Sequence, residues 1–401
     1  MSAARAVLSL LVAALAAGCA ATHKHDATKP MDRNAMWQKS LSRAPMAATA
    51  AFDAHGRLWL ASVENGHVLL RHSNDLGNTY TAPVRVNPDP ERVAADGENR
   101  PKLAFGKHGE VYVSWTQSLE TPFAGHVRFA ASRDGGTTFS LPITVNDDHA
   151  AISHRFDSLV VDGAGRVHLL WLDKRDKEKS GEAYTGIALY HAVSDDDGKS
   201  FGPNRKLADH TCECCRIAIA RDTDGVPVAL WRHVFDRNTR DHALLRLDGI
   251  SAVVRASRDD WRVDGCPHHG PALSIGPDGV YHLAWFTGAP GRAGLYYRRS
   301  LDHGRNFDTP MQFGNPEAQP GRPQVLSLGQ RVTLAWKEFD GTASLVRTMV
   351  SRDGGVSWSA PVTLARSAGA SDHPQLLADR GRVFLGWQSA SEGFRLVEVA
   401  P

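Results

Sequence analysis

Along most of this chain, apolar residues fall at every second position in short runs bounded by glycine, proline or charge. Six of these runs end in tryptophan: "GEVYVSWTQ", "GRVHLLWLD", "GVPVALWRH", "GVYHLAWFT", "QRVTLAWKE" and "GRVFLGWQS", marked by Trp115, Trp171, Trp231, Trp285, Trp336 and Trp387. Val, Leu and Trp alternate there with small or polar residues, the period of two that a half-buried β-strand requires. "GRLWLASVE", residues 56–64, is a seventh copy without the terminal tryptophan. Successive tryptophans are 56, 60, 54, 51 and 51 residues apart. No helical periodicity of useful length competes, so the pattern predicts an all-β protein built from repeats of about 50 residues.

A second element recurs between these strands. "SNDLGNTY" (73–80), "SRDGGTTF" (132–139), "SDDDGKSF" (194–201), "SLDHGRNF" (300–307) and "SRDGGVSW" (351–358) all read S-x-D-x-G-x-x-aromatic. Such a stretch makes a hairpin turn: Asp accepts from backbone donors across it, Gly takes a positive φ, and the aromatic packs beneath the sheet. This is the Asp-box, and with the strand pattern the body resembles the sialidase-like, BNR-repeat β-propellers over residues 37–401. The resemblance implies four-stranded antiparallel blades. Inner strands are predicted to start near Met46, Pro101, Arg155, Arg216, Pro271, Pro323 and Pro374, which makes seven blades. Catalytic sialidases have six, so six blades with one irregular unit is the alternative. The last copy stops after its third strand, and "WQKSLSR" (37–43) is expected to supply the fourth and close the ring. The fourth copy has only "SRDDW" where an Asp-box belongs.

The N-terminus bears on location. Arg5 precedes the apolar run "AVLSLLVAALAAG", too short for a stable membrane span and ending in small residues before Cys19. "LAAGC" resembles the lipobox of bacterial lipoproteins, which implies a signal peptide over 1–18, lipidation of Cys19, and a polar tether over 19–36. Ala20, where inner-membrane retention favours Asp, implies the outer membrane, facing the periplasm or the cell surface. With 46 basic and 44 acidic residues and no long run of like charge, nothing points to a nucleic-acid partner. The lipid is the expected membrane attachment.

Cysteine changes the picture most. The chain has five, and "DHTCECCRIAIA" places Cys212, Cys214 and Cys215 within four positions. In the resembled family, the loops leading into the innermost strands open beside the central axis, opposite the Asp-boxes, where active sites lie. The four cysteines of the body, Cys212, Cys214, Cys215 and Cys266, fall in two such loops of adjacent blades, with His268 and His269 beside Cys266. His154, His210 and His373 stand in equivalent loops. Thiolates and imidazoles converging on a mouth suit a soft or borderline ion, copper(I) or zinc. In an oxidising compartment four cysteines also suit disulfides, with Cys266 tied to the Cys-x-Cys-Cys turn. The neighbours Cys214 and Cys215 would diverge in a strand and cannot pair comfortably.

The rival reading is an exo-acting glycoside hydrolase. The resemblance implies a Tyr nucleophile polarised by Glu, an Asp acid/base and an arginine cluster for a substrate carboxylate. Arg100, Arg155, Arg216 and Arg322 stand at the starts of inner strands, Asp157 and Asp173 are candidate acids, and Tyr184 with Glu182 occupies the long loop "DKRDKEKSGEAYTG". That catalytic set is incomplete. The expectation is therefore an anchored propeller with a Cys/His metal-binding or redox-linked site at its mouth. Two rivals stand beside it: a glycosidase, and a non-catalytic binding or scaffold propeller with structural disulfides; a glycan or other small molecule is the alternative ligand at the mouth.

Overall fold

The structure, a computed structural model, describes residues 46–180, 186–236 and 238–400. Strands gather into seven antiparallel sheets in chain order, six of four strands and a last one of three. The innermost strands are Thr49–Phe52, Lys102–Phe105, His154–Val161, Ala218–Arg221, Ala272–Ile275, Gly321–Leu328 and Gln375–Asp379, so blades 1 to 7 begin where the repeat predicts. Seven blades, not six, form the ring. The segment expected to complete blade 7, residues 37–43, lies outside the described residues, as do Cys19 and Tyr184.

The core is not a single centre. It consists of seven apolar clusters, each filling the seam between two consecutive blades, including the seam from blade 7 back to blade 1. This division lets one domain exceed the size at which a single core stops growing. The six repeat tryptophans are all buried in these seams, and truncating one to alanine costs about 3–5 kcal/mol. Blade 7 meets blade 1 through side chains: Gln375 donates to the Ala48 carbonyl at 2.7 Å, Ala50 N–H donates to Gln375 Oε1 at 3.1 Å, and Phe52 packs on Phe384.

All five Asp-boxes form as predicted between third and fourth strands. In the first, Ser73 Oγ donates to Asp75 Oδ1 at 2.7 Å and accepts from Gly77 N–H, while Thr79 donates to Asp75 from both its amide and hydroxyl. These donors, the Thr79 hydroxyl above all, hold the Asp75 carboxyl down at about 2. The glycine has a second role that the motif alone does not reveal. Gly136 has φ +86°, and a Cβ there would lie 2.6 Å from Trp59 of the preceding blade, so the turn seats directly on its neighbour. "SRDDW" is not a fourth-blade Asp-box. It lies beyond the outer strand, where Asp259 accepts from Trp285 Nε1 of blade 5 at 2.7 Å. Asp248 and Ser251 make the turn instead, Ser251 donating to Asp248 through both amide and hydroxyl.

Candidate metal centre

Two loops meet on the axial face. The first leaves the outer strand of blade 3, Arg205–Thr211, and reaches blade 4 through Cys212–Cys215; its start is pinned by Cys212 N–H donating to the Arg232 carbonyl at 2.9 Å. The chain turns here instead of running extended. Cys214 and Cys215 therefore converge, contrary to the divergence a strand would impose. Glu213 points the other way, onto Lys177 of the short helix Arg175–Ser180. The sulfurs of Cys212, Cys214 and Cys215 form a nearly equilateral triangle with edges of 3.8, 3.8 and 3.9 Å, and all three side chains are buried.

A disulfide needs sulfurs about 2.05 Å apart; the four cysteines of the body are free, and the expected Cys266 staple is not formed. An ion at the centre of the triangle lies about 2.2 Å from every sulfur, against roughly 2.3 Å for a zinc–thiolate bond. The donor set fits a thiophilic ion.

The surroundings favour negative charge. Arg240 donates through Nη1 to Cys212 Sγ at 3.1 Å and is held by its Nε bond to the Val263 carbonyl at 2.9 Å. Hydrogen bonds from Cys214 and Cys215, reinforced by Arg240, hold Cys212 well below the usual thiol range. The contacts with Cys212 and Cys215 push Cys214 up, and burial, with the contact to Cys212, pushes Cys215 up. Arg155 packs over Phe156 with its buried Nε making no hydrogen bond; burial pushes its guanidinium down, against the opposing pull of Asp96 and Cys214. Arg232 knits the base of the site together, donating to the carbonyls of Arg240, His269 and Phe286.

The second loop brings Cys266 and His268 to the outer side of the trio. Donor atoms of Cys214, Cys266 and His268 lie within 4.8 Å of one another, so Cys214 belongs to two overlapping clusters. Cys266 is exposed, whereas the trio is not. His269, its sequence neighbour, stands apart from both clusters. It stacks on Phe286 at 4.1 Å, and burial, with Arg322, Arg232 and Arg216 nearby, pushes its imidazole down to about 2.

Of the four candidate arginines, Arg100, Arg216 and Arg322 are engaged by the protein itself. Arg216 donates from Nη1 and its own amide to the carboxylate of Glu98, at 2.9 and 3.0 Å, and from Nη2 to the Pro323 carbonyl at 2.9 Å. Glu98 also accepts from Gly270 N–H at 2.9 Å and from Arg322 Nη1 at 3.2 Å. A Cβ on Gly270 would lie 2.3 Å from the Arg216 side chain, so only glycine fits. Arg100 forms a two-pronged bond to Asp372, 2.9 Å on each arm, and closes blade 2 onto blade 7 across blade 1. Asp157 is buried under Ser114 and Thr116. Asp173 is fully buried; against the upward push of burial, His154 and Arg175 hold it at about 2. Both aspartates are buried. Sequence reasoning missed Glu98 and Arg240. Glu98 stands three residues before Pro101, at an inner-strand entry like those that carry the arginines, which is a signal; Arg240, in an irregular hairpin, offered none.

No protein-family profile and no curated protein matches this sequence. Solved structures do match. An ulvan lyase of a polysaccharide lyase family superposes with a TM-score of 0.58 at 12% identity, over 89% of this chain and 93% of its own. A Hadza microbial sialidase gives 0.50 at 14% identity, over 84% and 74%. A leech intramolecular trans-sialidase complexed with 2,7-anhydro-Neu5Ac gives 0.50 at 11%, over 85% and 82%. The chain thus has a seven-bladed, Asp-box β-propeller fold similar to the folds of these lyase and sialidase structures. Fold alone does not carry chemistry.

Proposed function

We propose that this protein is an exported, outer-membrane-anchored propeller that binds one soft metal ion at its axial mouth through Cys212, Cys214 and Cys215. Copper(I) is preferred to zinc. The observation that carries this reading is the sulfur triangle with edges of 3.8–3.9 Å. Three buried thiolates without a fourth sulfur at equal reach suit a three-coordinate soft ion, whereas structural zinc takes four ligands. Arg240 and Arg155 offset the negative charge of three thiolates around a monovalent ion. Binding requires reduced sulfur, which links the site to redox state. Anchoring rests on "LAAGC" and Cys19.

Glycoside hydrolysis is the weaker reading, because the protein's own carboxylates already pair Arg100, Arg216 and Arg322. The test is an anaerobic titration of the reduced chain with copper(I) and, separately, zinc. About one copper per chain should bind, and Cys214→Ser with Cys215→Ser should abolish it. Zinc binding in strong preference to copper would replace the ion. If reduced protein binds neither tightly, or the serine variant keeps binding while its fold melts, the metal reading fails and the cysteines are structural.

A further inference from the structure

From the two overlapping donor clusters, we infer that Cys266 and His268 form an outer station which passes copper(I) to the buried trio by way of Cys214. This rests on the metal reading above and adds direction to it. The trio is closed off: all three sulfurs are buried, and Arg240 covers Cys212. An ion arriving on a carrier cannot meet three buried sulfurs at once. Cys266 is the exposed sulfur, it lies on a different loop, and it shares with His268 a position within 4.8 Å of Cys214. Among the described residues, Cys214 is the one member common to both clusters.

The transfer is ligand exchange without electron transfer. Copper remains monovalent throughout. It is first held by Cys266 Sγ, the His268 imidazole and Cys214 Sγ, displacing the carrier. Cys212 and Cys215 then each form a bond to the ion as Cys266 Sγ and the imidazole each release one. A proton lost by an incoming thiol is taken up by the departing thiolate or imidazole, or by solvent. Cys214 stays bound throughout, so the ion is never free. Two soft donors in the outer set let copper(I) enter quickly, and three sulfurs in the inner set retain it.

The experiment uses the full reduced chain and copper(I) held by the chromophoric chelator bicinchoninate, followed by stopped-flow absorbance under argon. Near-UV circular dichroism confirms that each variant is folded. Cys266→Ser combined with His268→Ala should load the trio at least about tenfold more slowly, and release it to excess chelator more slowly by a similar factor. Conversely, Cys212→Ser combined with Cys215→Ser should lose tight binding yet retain a weak, rapidly exchanging ion whose X-ray absorption shows nitrogen as well as sulfur. Unchanged rates in the first variant, or no residual ion in the second, overturn the relay while leaving the metal reading intact. Loss of all binding in the first variant also overturns it, by making Cys266 or His268 part of the resting site. No copper on the wild-type chain removes both.

Discussion

Glu98 is where the electrostatics of the mouth can be tested most sharply. Its carboxylate accepts from Arg216, Arg322 and two backbone amides, all at the axis and all largely out of water. In Glu98→Ala the guanidinium groups face each other without a counter-ion. Breaking a buried pair by removing one partner costs about 3–5 kcal/mol, and each amide left without an acceptor costs about 1–3 kcal/mol. These groups share one site, so the terms overlap and a total of about 4–5 kcal/mol is expected. At about 1.3 °C per kcal/mol for a chain of this size, Tm should fall by about 5–7 °C. Glu98→Gln keeps an acceptor and loses the charge, and should lose about half as much.

The pH dependence sets a second condition. Burial pushes the Glu98 carboxyl up, but Arg216 and Arg322 prevail and hold it below its ordinary value. A carboxyl lowered in the folded state adds stability above its unfolded pKa of about 4.3 and loses it as pH falls through the folded value. The Tm gap between wild type and Glu98→Gln should therefore be full near neutrality and close as pH falls below about 4.3, through the lowered folded-state value. Differential scanning calorimetry across that range is the assay. A Glu98→Ala variant within about 2 °C of wild type, or a gap indifferent to pH, would refute the assignment of Glu98 as the internal counter-ion.

Other parts of the structure make separate predictions. Gly136→Ala forces a side chain at φ +86° into Trp59, and strain with overpacking should cost about 2–4 kcal/mol; Gly135→Ala, which meets nothing within 4 Å, should cost only the backbone share, about 1 kcal/mol. Thermal unfolding of the pair reads the difference directly. Arg240→Met removes the cation beside Cys212, and competition titration should find copper(I) bound about 10–100-fold more weakly at unchanged stoichiometry. Cys19→Ser should release the protein into the soluble periplasmic fraction or stall its processing, and a fully processed, membrane-bound product would contradict the anchor.

The ring was legible in the amino-acid order because its determinants are local and repeated. Alternation of apolar residues depends only on the strand period, and each Asp-box satisfies itself within eight residues. Those signals placed seven inner strands and, through them, put Cys212, Cys214, Cys215 and Cys266 at the mouth. Geometry inside the mouth was not legible, because it joins loops that are close only after the ring has closed. Glu98 meets Arg216 across 118 residues and Arg322 across 224. Arg240 finds Cys212 from a hairpin without periodicity. Whether three thiols form a triangle or a disulfide turned on one backbone detail: a turn at Cys212–Cys215 where a strand would have pointed Cys214 and Cys215 apart. Local pattern decided which residues reach the axis; only the closed tertiary structure decided which of them touch, since contact between distant loops follows from the seams that hold the blades in place.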